Sequence, residues 1–147
     1  MKQTFKHTMR VALAAVAACA VTVGLSVSPA SAAGENTWVR NLSTFLCMAT
    51  VDDDVRMRGC VTGDLNMLWD RRDDATIRRA FTSLCLDSAD NGNVYYMQCN
   101  GGLFQKWGYL PNGWVQNLAT GRFLDTIDIT SVVTSVQSGQ SWQFLGG

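Results

Sequence analysis

The chain has 147 residues, with twelve basic against twelve acidic side chains, five cysteines and one histidine. This balance, without a basic stripe, excludes a nucleic-acid partner held through phosphate contacts. The single histidine, His7, lies near the N-terminus, so most His-dependent catalysis and the commonest metal ligand are excluded from the rest of the chain.

The first predicted element lies outside the fold. Lys2, Lys6 and Arg10 precede an almost unbroken apolar run from Val11 to Val27, and Ser28-Pro29-Ala30-Ser31-Ala32 follows it. A basic start, an apolar centre and a small-x-small end predict a secretory signal peptide over 1–32, cut after Ala32 or Ala33. A membrane anchor is the rival reading; the run is of minimum spanning length, and a helix breaker and small residues follow it directly. Val16-Ala17-Ala18-Cys19 also resembles a bacterial lipobox, although the residues after Cys19 stay apolar instead of turning polar. The expectation is a secreted protein with no stable membrane span. Removing the three basic residues of the signal leaves nine basic against twelve acidic side chains, a formal charge of −3. About 115 residues then remain, the size of one domain.

Beyond the signal, helical periodicity is weak. Short β-prone segments are predicted as strands at Trp38–Asn41, Leu46–Ala49, Val55–Arg58, Leu84–Asp87, Val94–Gln98, Trp114–Asn117, Arg122–Thr126 and Val132–Val136. Turn residues separate them at Asp52-Asp53-Asp54, Asp90-Asn91-Gly92-Asn93, Asn100-Gly101-Gly102, Pro111-Asn112-Gly113 and Ser138-Gly139. Asp52-Asp53-Asp54 lacks the spacing of a calcium loop and reads as a solvated turn. Asp70-Arg71-Arg72-Asp73-Asp74 reads as an exposed loop of mixed charge. Asn41-Leu42-Ser43 matches a glycosylation acceptor.

Three stretches, Trp38–Thr50, Thr76–Ser88 and Trp114–Thr126, align without a gap, each 38 residues after the last. A fixed period of this size marks one supersecondary unit used three times, with a core the copies bury together. About four strands per copy gives twelve, and closing them into a barrel hides strand edges. The repeat also selects among the three ways of pairing Cys47, Cys60, Cys85 and Cys99. Cys47 and Cys85 occupy one repeat position, and Cys60 and Cys99 nearly another. This predicts disulfides Cys47–Cys60 and Cys85–Cys99, as suits a small secreted domain. The Cys pairs are too widely spaced for a zinc site. The third copy holds Phe123 and Val136 at these places, which predicts a buried apolar contact instead of a bridge.

Each copy also carries a late tryptophan, in Met67-Leu68-Trp69, Gln105-Lys106-Trp107 and Gln140-Ser141-Trp142. Gln-x-Trp near the end of forty-residue copies, preceded by a segment such as Leu84-Cys85-Leu86-Asp87, resembles the ricin B-type lectins, also called R-type or QxW lectins. The resemblance covers residues 36–147. It implies an all-β, β-trefoil fold with pseudo-threefold symmetry, in which the three tryptophans pack the core.

The resemblance further implies one shallow sugar pocket per copy. Its parts are the Asp of the Cys-Leu-Asp segment, an aromatic two residues before the second Cys, and an Asn before the Gln of Gln-x-Trp. Copy one offers Ala49, Arg58 and Asn66, and without a carboxylate its pocket is expected to be dead. Copy two offers Asp87, Met97 and Phe104 with Gln105, and Tyr95 and Tyr96 lie beside the stacking position. Copy three offers Asp125, Thr134 and Gly139 with Gln140. The candidate sugar ligands are Asp87, Gln105, Tyr96 and Asn93 in copy two, and Asp125 and Gln140 in copy three. An Asp and amides bond sugar hydroxyls, and a ring covers the apolar face of the sugar. The competing reading makes each Asp a turn residue bonding its own backbone and each Gln a bonder of neighbouring backbone.

The expected function is weak binding of a galactose-like or polysaccharide ligand by a secreted protein without catalytic residues, metal or cofactor. The alternatives are a protein-binding trefoil with degenerate sugar sites, and an enzyme using Asp pairs.

Overall fold

In the computed structural model of the protein the described residues are 34–137 and 139–146. The predicted signal peptide over 1–32, Cys19 and His7 lie outside them. Among the described residues no helix is long and apolar enough to cross a membrane.

The described residues form twelve strands, four from each copy. Copy one supplies β1 (Gly34–Asn41), β2 (Cys47–Val51), β3 (Asp54–Arg58) and β4 (Leu68–Arg71). Copy two supplies β5 (Ile77–Arg79), β6 (Leu84–Ser88), β7 (Val94–Gln98) and β8 (Trp107–Tyr109). Copy three supplies β9 (Val115–Asn117), β10 (Phe123–Thr126), β11 (Val132–Ser135) and β12 (Trp142–Gly146). The first and last strands of every copy form an antiparallel ring. β12 pairs β1, β1 pairs β4 and β4 pairs β5. Thr76 bridges Lys106 to join β5 to β8, and β8 pairs β9. The Trp142 N–H donates to the Gly113 carbonyl at 2.9 Å, bringing β12 back to the start of β9.

The middle strands of each copy form a hairpin, β2–β3, β6–β7 and β10–β11. These three hairpins meet one another. Arg56 bridges Ser131, Asn93 bridges Val133, and the Thr134 N–H donates to the Gly92 carbonyl at 2.8 Å. Gly92 has φ +94°, and a Cβ there would lie 2.8 Å from the Thr134 carbonyl oxygen, so no other residue fits this junction. Turn chemistry sets the hairpin of copy one. Asp52 and Asp53, at φ 47° and 63°, form a two-residue loop of the type I′ kind.

The repeat dictates the core. Val39, Ile77 and Val115 are equivalent, as are Met48, Leu86 and Leu124, and as are Val55, Val94 and Val132; all are buried together. Trp69, Trp107 and Trp142 complete the set, and each indole N–H donates to a carbonyl of the second strand of its own copy. The acceptors are Met48, Leu86 and Leu124, at 3.0, 3.1 and 3.1 Å. A buried indole donor left unpaired would be costly, so the same bond recurs in every copy.

Departures from the repeat are equally informative. Two residues beyond each tryptophan stand Arg71, Tyr109 and Phe144, which meet at one end of the barrel. The Arg71 guanidinium lies 3.5 Å from the Tyr109 ring centre, and Tyr109 meets Phe144 edge-on at 5.3 Å. Burial pushes the Tyr109 hydroxyl well above its ordinary range. Asp70, read from the sequence as part of an exposed loop, is buried in β4. It accepts from the Asn36 N–H at 2.8 Å and pairs with Arg72 at 2.8 Å.

The disulfides are Cys47–Cys60 and Cys85–Cys99, with Cα separations of 5.1 and 5.0 Å. Copy three does not replace them with a buried Phe123–Val136 contact. Val136 is 63% exposed, and Phe123 turns edge-on to Trp114 at 5.0 Å. Trp114 is available because copy three begins with a tryptophan where copy two has Thr76. Asn41 of the glycosylation motif is fully buried; its Oδ1 accepts from the N–H groups of Ser43 and Thr44 at 2.9 and 3.0 Å. Its amide is inaccessible to modification once the chain is folded.

Candidate functional site

The β6–β7 hairpin of copy two presents one face to the core and the other outward, because side chains alternate along a strand. Asp87 is opposite Tyr95, and Cys85 is opposite Met97. These four share the outer face. Leu86 and Tyr96, one residue along, point the other way and pack into the core. The sequence candidate Tyr96 is therefore a core residue, and Tyr95 is the aromatic beside Asp87. Strand parity carries this information: Tyr95 and Met97 lie an even number of residues before Cys99 and share its face.

Asp87, Asp90, Tyr95, Met97, Asn100 and Phe104 line a cleft of about 330 Å³ on this face. Asp87 is only 3% exposed, yet its Oδ1 has no hydrogen-bond partner among the described residues. A buried carboxylate oxygen left unbonded is costly unless something completes it. Burial raises the pKa of the Tyr95 hydroxyl, and the Asp87 charge and hydrogen bond raise it further, so Tyr95 stays protonated and donates to Asp87. Asn100 is fixed at its other end, with Oδ1 accepting from the Gly102 N–H at 2.8 Å. Its Nδ2 makes no hydrogen bond among the described residues, and the side chain is exposed. Phe104, 39% exposed, forms the far wall from the 3-10 turn Leu103–Gln105. The cleft thus holds a carboxylate acceptor, an amide donor and two rings, an arrangement that matches hydroxyls on one edge of a small polar ring and C–H groups on its face.

The structure separates the other candidates from Asp87. Gln105 is fully buried; its Oε1 accepts from the Asn100 N–H at 2.8 Å and its Nε2 donates to the Gln98 carbonyl at 3.1 Å. Gln105 thus fixes the segment that carries Asn100. Asn93 lines a different depression, of about 350 Å³, with Asp54, Ser131 and Ile127 where the hairpins meet. In copy three, the Asp125 Oδ1 already accepts from the Thr126 N–H at 2.8 Å, and Val133 stands opposite where copy two has Tyr95. The Gln140 Oε1 accepts from the Asn41 Nδ2 and, at 3.0 Å, from the Thr126 hydroxyl. Copy one has Ala49 opposite Arg56 and Cys47 opposite Arg58, with no carboxylate at the Asp87 position.

Comparison with known proteins agrees with this architecture. Residues 35–144 match the family model of the ricin-type beta-trefoil lectin domain. No curated protein matches the chain. Among solved structures, a non-toxic homologue of type II RIPs from Momordica charantia (bitter gourd), in complex with α-methyl-D-galactoside, superposes with TM-score 0.65 at 23% identity, over 76% of this chain and 48% of that one. The chain thus spans about half the length of that protein. The β-trefoil lectin of the Vibrio vulnificus hemolysin/cytolysin, with N-acetyl-D-lactosamine bound, gives TM-score 0.67 at 20% identity, over 78% of this chain and 96% of that one. The C-half of an earthworm R-type lectin, in complex with GalNAc, gives TM-score 0.65 at 12% identity, over 76% and 98%.

Proposed function

Because the chain belongs to the ricin-type β-trefoil lectin family, we propose that it is a secreted, non-catalytic carbohydrate-binding protein whose working site is the cleft of copy two. The observation that carries this reading is the buried Asp87 with an unbonded Oδ1 at the cleft between Tyr95, Asn100 and Phe104. Asp87 accepts bonds from two sugar hydroxyls, the Asn100 amide donates a third, and Tyr95 or Phe104 covers the C–H face. A galactose-like residue suits the site, because such sugars offer adjacent hydroxyls on one edge and an apolar patch on the opposite face. One shallow pocket gives weak affinity, so useful retention comes from polysaccharides that present the sugar many times. The two disulfides and the N-terminal signal pattern support secretion.

A second reading, a protein-binding trefoil, draws on Ile127 and Ile129, which are 75% and 71% exposed in the β10–β11 turn. One experiment separates the two. A glycan array is probed with the oxidised wild-type protein and with Asp87→Ala. Binding lost in the variant supports the lectin reading. A blank array from folded wild-type protein rejects it and turns the search to protein partners at the isoleucine turn.

A further inference from the structure

Copy one departs from the threefold pattern at several positions, and the departures fall on one surface. Where copy two has Asp87, copy one has Ala49, fully buried against Cys47 and Met67. Where copy two has Tyr95 and Met97, copy one has Arg56 and Arg58, as the two hairpin registers show. Where copy two has Phe104, copy one has Asn66. A fourth change comes from the neighbouring copy. The first turn of copies one and three opens with Asn41 and Asn117, whose Oδ1 atoms cap that turn. The equivalent residue in copy two is Arg79, and its Nη2 reaches the Asn66 Oδ1 at 2.7 Å. Asn117 makes the matching approach to copy two, donating to the Phe104 carbonyl at 2.7 Å. Arg79 therefore borders the copy-one face through its bond to Asn66, whereas Asn117 is fully buried and reaches only the backbone behind Phe104.

The result is a face of donors. The Asn66 Oδ1 is taken by Arg79, and the Thr50 hydroxyl also lies 3.5 Å from it, while the side chain is exposed and its Nδ2 makes no hydrogen bond among the described residues. The Arg79 Nε is buried without a hydrogen-bond partner, and Arg58 is exposed with no ion pair among the described residues. Two carboxylates lie nearby, and both are engaged. Asp54 pairs with Arg56 at 3.2 Å, and the Asp64 Oδ1 accepts from the Asn66 N–H at 2.9 Å. Neither Arg58 nor Arg79 forms an ion pair among the described residues.

We propose that copy one is a second binding face, remade for a saccharide bearing an oxyanion, either a sulfate ester or a uronate carboxylate. Guanidinium groups bond such groups through parallel, charge-assisted hydrogen bonds. The Asn66 amide bonds a neighbouring hydroxyl, and the loss of the Asp carboxylate removes the repulsion that an anionic sugar would meet at Asp87. The proposal does not rest on the copy-two cleft.

The test measures calorimetric binding of neutral, sulfated and uronate-bearing oligosaccharides of one backbone, and of inorganic sulfate alone. The proteins are wild type, Arg58→Met/Arg79→Asn and Asp87→Ala. The double variant installs the residues the molecule itself uses at Met97 and Asn117; Arg58→Glu, a change at an exposed side chain, guards against misfolding of the double variant. The expected result is tighter binding of one or both anionic saccharides than of the neutral one, weakened by added salt. Both Arg58 variants should lose about tenfold or more of that affinity, and Asp87→Ala should keep it. Preference for the sulfated or for the uronate ligand identifies the group. Equal binding of neutral and anionic saccharides, undiminished anionic binding in the Arg variants, or inorganic sulfate binding as tightly as the saccharides would overturn the proposal. Neutral binding unchanged in Asp87→Ala would count against the copy-two cleft alone.

Discussion

Copy two and copy three carry the same aspartate at the same repeat position, yet Asp87 and Asp125 live in different surroundings. Asp87 is buried, faces Tyr95 across the hairpin and has an unbonded oxygen at a cleft. Asp125 is partly exposed, faces Val133, and bonds the backbone of the next residue. In copy two Cys99, directly after β7, is held in a disulfide, and Asn100 and the 3-10 turn with Phe104 follow. In copy three the matching stretch has no bridge, and Gln140 is bonded to Asn41 and Thr126. One acidic residue makes a candidate site only where its hairpin partner and the following loop leave it something to bind.

That contrast is open to attack at several strengths. The largest expected effect comes from opening Cys85–Cys99 with paired serine substitutions. The bridge closes a loop of about fourteen residues, and its loss should cost about 3 kcal/mol in denaturant unfolding. Because Met97 and Asn100 flank Cys99, glycan binding should fall with it. If binding survives at full strength, the bridge does not shape the cleft. Next in size is the direct comparison of the two aspartates. Asp87→Ala should weaken glycan binding by about tenfold to a hundredfold, since hydrogen bonds to a charged group contribute about 1.5–3 kcal/mol. Asp125→Ala should leave titration calorimetry within about twofold, on the order of the small effects of exposed sites. Equal losses would erase the distinction between the copies.

The neighbouring tyrosines sharpen it further. Tyr95→Ala should lower binding by about tenfold through lost ring contact and leave the melting temperature nearly unchanged. Tyr96→Ala should do the reverse, lowering stability by about 2 kcal/mol through the space it opens in the core. The smallest effect concerns Thr76, the residue that breaks the Trp38/Trp114 pattern. Burial raises the Asp74 pKa, but hydrogen bonds from the Thr76 hydroxyl and N–H, and from Lys106, outweigh this and hold it well below the usual carboxylate range. A depressed folded-state pKa gives stability that is present above the unfolded value and lost as pH falls towards the folded one. Acid should therefore destabilise the protein progressively from about pH 4 downward, and Thr76→Val should flatten that limb. An unchanged acid limb in the variant would remove Asp74 from the account.

Much of the fold was legible because the repeat made the sequence its own comparison. The period of 38 residues aligned the cysteines that pair and the tryptophans that fill the core. Eight of the twelve strands carried local β-prone patterns of their own. The four that did not, β4, β5, β8 and β12, are barrel strands. Three of them begin at or one residue before a core tryptophan, and β5 is only three residues long. Their hydrogen-bonding partners come largely from other copies, so no local pattern marks them. Asp70 escapes a local pattern for the same reason: it looks like part of a charged loop until β1 and β5 close on either side of it.

For the candidate site, the sequence supplied Asp87 and its segment. The alternation of strand faces, properly followed back from Cys99, also points to Tyr95. What only the tertiary structure decided is which polar groups are already bonded. Gln105 and Gln140 look alike with Asp87 and Asp125 in a list of polar residues. Folding engages both amides, leaves one oxygen of Asp87 unbonded, and brings Arg79 of copy two onto Asn66 of copy one. A repeat fixes which positions are equivalent, because equivalent backbones need equivalent core contacts. The contacts made across copies determine which of those positions remain open to a ligand, and those contacts exist only after the ring of strands has closed.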